Sequence, residues 1–153
     1  MSELDPTHCL QINGSSIDEI LPILDPEGTV KRAPSRLDGS ATFAVSLWRL
    51  PQGMRLWDEL PGAWPFEFLQ AAGSKESMMV EISQEDDNGE LHLYRLARPG
   101  DSSNRELVDL KWRDRVEQVS LAQVFNAGEA AEIFWHYYCH GEVPSSYLLE
   151  ELQ

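Results

Sequence analysis

Residues 126–147 read NAGEAAEIFWHYYCHGEVPSSY, a segment that carries both the start and the stop of one amphipathic helix. Asn126 can accept a hydrogen bond from a first-turn N–H, and Glu129 three residues later completes a capping-box spacing. Gly141 supplies a left-handed stop, and Pro144 bars continuation. Between them Ala127, Ala130, Ala131, Phe134, Tyr137 and Tyr138 recur at three- and four-residue steps, so one side must be buried. The chain ahead of it reads as short strands, and the helix is therefore expected to lie on a sheet.

His8–Ile12 reads as a first short strand. Asn13-Gly14-Ser15-Ser16 reads as a helix-opening cluster, with Ser15 before Asp18 and Ser16 before Glu19 at capping-box spacing, which predicts a helix over Ile17–Leu24 that Pro22 shortens or bends. Residues 25–40, DPEGTVKRAPSRLDGS, have little periodicity and read as a loop. In Ala41–Leu50 the apolar Phe43, Val45 and Leu47 alternate with small or polar neighbours, the pattern of a half-buried strand. Phe66–Ala71, Ser77–Ser83 and Leu91–Ala97 continue it, separated by Gly73-Ser74-Lys75 and by Asp87-Asn88-Gly89, the strongest hairpin signal in the chain. Glu106–Trp112 and Val116–Leu121 pair around Arg113-Asp114-Arg115. Strands joined by short turns make a mostly antiparallel meander. The fold expected is one α+β domain over residues 1–153, with an N-terminal short helix, the meander, and the C-terminal amphipathic helix packed on the sheet. Tyr147, Leu148 and Leu149 in the tail would pack on that sheet or on a second subunit.

The 153 residues, 42% of them apolar, suffice for one core. Twelve Lys and Arg against 26 Asp and Glu give a formal charge of −14. Direct nucleic-acid binding is excluded as an expectation, since phosphate recognition needs clustered cations. A basic protein, in contrast, would be attracted to this surface. The opening MSELDPTHCLQING lacks a cationic region followed by an apolar run, and no stretch approaches the roughly 20 apolar residues of a membrane span, so a cytoplasmic protein is expected. Cys9 and Cys139 are too few for a disulfide framework.

Motifs for catalysis are absent: there is no Gly-x-Ser-x-Gly elbow, Walker loop or Rossmann glycine pattern. His136 and His140 stand one turn apart beside Cys139, but Tyr137 occupies the place of the zincin Glu, and histidines near a helix C-terminus already complement its dipole. The acidic run Glu85 to Glu90 lacks the alternation and terminal Glu of a calcium loop and reads as a solvated hairpin tip. No metal or cofactor is called for. Glu67 and Glu81 could meet across adjacent strands as an acid–base pair. The aromatic run Trp48, Trp57, Trp64, Phe66 and Phe68 fills a core or lines a pocket, with Trp57-Asp58-Glu59 the segment most expected at the surface.

With these residues in hand, the chain resembles immunity proteins of bacterial polymorphic toxin systems, the first-described immunity family and its actinobacterial relatives. The resemblance rests on FLQAAGSKESMMVEI, residues 68–82, and EAAEIFWHYYCHGEVPSSYLLEEL, residues 129–152, with its Gly141-Glu142-Val143-Pro144 exit, about a quarter of the chain. The first forty residues have no counterpart in it. It implies a small, non-catalytic, cytoplasmic α+β protein that binds and blocks a cognate basic toxin. An acidic surface would then mimic nucleic-acid phosphates, and the partner-binding candidates are Trp57, Asp58, Glu59, Glu85, Asp86, Asp87 and Glu90. The alternative is a small-ligand-binding or enzymatic domain with an aromatic-lined pocket, which would need convergent polar groups and a perturbed His or carboxylate.

Overall fold

The computed structural model describes residues 5–62, 64–100 and 105–152. Its strands are β1 (His8–Ile12), β2 (Ser16–Glu19), β3 (Ala44–Arg49), β4 (Phe68–Ser74), β5 (Ser77–Glu85), β6 (Leu91–Ala97), β7 (Leu107–Trp112), β8 (Arg115–Ser120) and β9 (Leu148–Leu152), and its helices are α1 (Pro26–Arg32) and α2 (Ala127–His140). Seven strands form one antiparallel sheet in the order β2-β1-β3-β4-β5-β6-β9, and β7 pairs only with β8. The architecture is α+β.

The N-terminal region corrects two expectations. Ile17–Leu24 is not a helix: Asn13 (φ 54°) and Gly14 (φ 71°) take left-handed conformations, the chain reverses, and Ser16–Glu19 pairs back on β1 as an edge strand. The same Asn-Gly pair that can open a helix thus closes a hairpin. A two-turn helix forms instead inside the expected loop 25–40, because Asp25 caps the Gly28 N–H at 3.1 Å and Pro26 sits in the first turn, where its missing N–H costs nothing.

Around α2, Asn126 accepts from the Glu129 N–H (2.9 Å), Glu129 accepts from the Asn126 N–H (3.0 Å), and Gly141 ends the helix at φ 75°. Its buried residues Ala130, Ile133, Phe134 and Tyr137, with Val30 of α1, pack on the sheet face built by Leu10, Val45, Leu47, Leu69, Ala71, Val80, Ile82 and Leu96. Both helices lie on this front face. The back face has two apolar patches: the β7–β8 hairpin brings Leu110 and Val119 onto Ala44, Ala72 and Met79, and the 50–67 connection brings Leu56, Leu60 and Trp64 onto Cys9, Trp48 and Phe68. Between the patches Gln11, Ser46, Gln70, Glu81, Arg95 and Glu150 stand in one cross-strand register over six strands. Within that row Ser46 Oγ donates to Gln70 (3.2 Å), and Arg95 holds Glu81 at 2.7 and 3.0 Å while also reaching Glu117. At the β4–β5 turn Gly73 has φ 133°, and a Cβ there would collide with the Ser77 carbonyl oxygen, so no larger residue fits.

Candidate functional site

Register decides which loops share an end of the sheet. His8 lies opposite Arg49, Leu47 opposite Leu69, and Phe68 opposite Ser83, so the 50–67 connection, the β5–β6 turn and the entry to β1 project from one end. β9 finishes there too, with Leu152 opposite Leu93.

The β5–β6 turn carries Glu85, Asp86, Asp87 and Glu90. Asp86 Oδ1 accepts the N–H groups of Asn88 (2.8 Å) and Glu90 (3.0 Å), which folds the turn, and its Oδ2 meets His92 Nε2 at 2.7 Å. The other His92 nitrogen meets Glu151 of β9 at 2.8 Å. Glu151 first and Asp86 second hold the His92 imidazole above its ordinary value, and His92 in turn lowers Asp86. Asp86, Glu90 and His92 bring ligand atoms within 4.8 Å of one another, but both histidine nitrogens already serve carboxylates. Glu85, Asp87 and Glu90 are exposed.

Trp57, Asp58 and Glu59 are exposed, Trp57 at 72% of its surface. Arg55 lies 4.3 Å above the Trp57 ring, and its guanidinium donates to Glu19 of β2 at 2.8 and 3.0 Å. Glu19, which also accepts from the Leu56 N–H, is held below its usual value mainly by that arginine. Asp58 accepts from the Arg55 N–H at 2.6 Å. The structure therefore brings the expected residues to one end but in two groups: Glu19 lies on edge strand β2 while the turn joins β5 and β6, four to five strands away, roughly 20 Å at the usual strand spacing.

Between the groups is a cleft of about 120 Å³ lined by His8, Arg49, Trp64, Glu67, Tyr137 and Gly141. Burial, with Arg49 adding, lowers His8 to about 4, so its imidazole is neutral at physiological pH, and burial beside Glu67 pushes Tyr137 up to about 12. Arg49 and Tyr137 carried no functional expectation. Strand register joins His8 to Arg49, Glu67 enters from the connection just before β4, and no local motif signals the meeting.

Other sequence candidates separate. Glu67 and Glu81 do not pair: Glu67 accepts from the Glu85 N–H at 2.9 Å, while Glu81 is bound to Arg95 in the back-face row. Trp48 is buried, and Trp64 and Phe66 meet edge to face at 4.6 Å. The His136 and His140 rings lie 4.5 Å apart, with His136 Nδ1 on the Glu142 carbonyl. Among the described residues no helix is long and apolar enough to cross a membrane. Comparisons with protein-family models, curated proteins and solved structures found no match.

Proposed function

We propose that this chain is a bacterial immunity protein, acting in the cytoplasm by binding a cognate basic toxin through its acidic surface. The observation that carries the reading is the convergence of Glu85, Asp87 and Glu90 with Asp58, Glu59 and exposed Trp57 on one end of the sheet. Two carboxylate groups roughly 20 Å apart suit a macromolecular partner, since both lie within the contact area of a standard interface. Trp57 supplies an anchor of the kind that dominates binding energy, and the −14 charge speeds encounter with a cation-rich partner.

The test is capture from a lysate of the source cell with the tagged chain at low salt, comparing wild type with Asp87→Lys/Glu90→Lys and with Trp57→Ala. One basic protein should be retained, released by salt, and lost at least tenfold in the charge-reversed variant. Capture that ignores both salt and charge reversal would defeat the reading.

A further inference from the structure

We propose that the cleft between β1, β3, Glu67 and the end of α2 is a binding site for a small zwitterion of the α-amino acid type, independent of any protein partner. The argument starts from two polar side chains that are almost wholly buried yet unpartnered on the cleft side. His8 is 5% exposed and Tyr137 6%. His8 Nδ1 is used by Thr7 Oγ1 at 2.8 Å and its ring lies against Tyr138, but neither His8 Nε2 nor the Tyr137 hydroxyl has a hydrogen bond among the described residues. Among the described residues Trp112 Nε1 is the fully buried side-chain nitrogen or oxygen without a partner, so His8 Nε2 and the Tyr137 hydroxyl keep some accessible surface, and both residues line this cavity. A buried polar atom left facing a cavity is stabilised by something that hydrogen-bonds to it there.

The charges around the cavity say what kind of group that is. Arg55, Arg95 and Arg98 each sit on a carboxylate, whereas Arg49 makes no ion pair among the described residues. Arg49 is the last residue of β3 and Glu67 stands just before β4, and both line the cleft, one as a guanidinium and one as a carboxylate. They flank the cleft without meeting within ion-pair distance, and Glu67 uses one oxygen on the Glu85 N–H. A carboxylate seated by Arg49 with the His8 or Tyr137 donor, and an ammonium seated by Glu67, would satisfy both ends at once. Trp64 forms an apolar wall for a short side chain. At about 120 Å³, against the ~10–15 Å³ that one water requires, the cavity has room for a ligand of several heavy atoms.

The experiment is calorimetric titration of the full chain with the twenty common amino acids. Each is matched with the amine lacking its carboxylate and the acid lacking its amine. At least one amino acid should bind saturably, and each matched analogue should bind about tenfold more weakly or worse, because each loses a charge-assisted hydrogen bond. Arg49→Gln should weaken the amino acid by a similar factor while leaving the amine unaffected, and Glu67→Gln should do the converse for the acid. Both side chains are exposed, so unchanged thermal melting confirms that the variants are folded. Absence of binding by every amino acid at millimolar concentration, or binding that both variants leave unchanged, would overturn the proposal.

Discussion

His8 is an imidazole whose neighbours and burial favour its neutral form, and that preference has a measurable sign. Its folded value of about 4 lies below the ordinary 6.5, so below pH 6.5 the unfolded chain binds a proton that the folded chain refuses. Stability from this residue is complete above pH 6.5 and is lost as pH falls toward 4. Between pH 7 and 5 wild type should lose about 2 kcal/mol relative to His8→Asn, at 1.36 kcal/mol per pH unit. Urea unfolding midpoints at the two pH values measure it, and parallel pH curves for the two proteins would contradict it. Other titrating groups, including His92 with its raised value, are common to both proteins and cancel in the comparison.

Among the elements, β5 and β6 are joined across the back face by Glu81 and Arg95, 8% and 9% exposed. Arg95→Leu strands the buried Glu81 and should cost about 3–5 kcal/mol, Glu81→Leu should cost less because Arg95 keeps Glu117, and the double variant should cost clearly less than the sum. A denaturation double-mutant cycle that came out additive would show the pair to be uncoupled. Helix α2 was legible from sequence because its signals are local: Asn126, Glu129 and Gly141 act within one turn of the helix ends. The β5–β6 hairpin was legible for the same reason through Asn88-Gly89. Edge strand β2 differs from the helix expected there because Asn13-Gly14-Ser15-Ser16 suits a turn and a helix start equally, and only the partner strand decides. β9 is not legible in the sequence because LLEEL has no alternation, in keeping with its exposure at four of five positions. Nor did the meander pattern reveal that β7 and β8 leave the main sheet, since that depends on contacts with Ala72 and Met79 rather than on their own residues. The cleft lay beyond local reading altogether, being assembled from four separate stretches of chain.

For the molecule as a whole, a net charge of −14 means that folding gathers like charges. Raising ionic strength from about 0.01 to 0.15 M shortens screening from about 30 to 8 Å, so the melting temperature of the free chain should rise over that range. A calorimetric scan that showed it falling would mean that the ion pairs outweigh the repulsion. The same salt that steadies the chain should loosen a basic partner. The polar row from Gln11 to Glu150 bears on a different matter, how six of the strands find their phase. A slip of one residue turns the apolar set outward, but a slip of two preserves every inward and outward position and so passes the hydrophobic criterion. In β5 and β6 such a slip would set Glu81 against Leu93 or Ala97 in place of Arg95, leaving a carboxylate stranded in the interior. The row thus acts as a key cut across the sheet, rejecting misalignments to which the oily faces are blind.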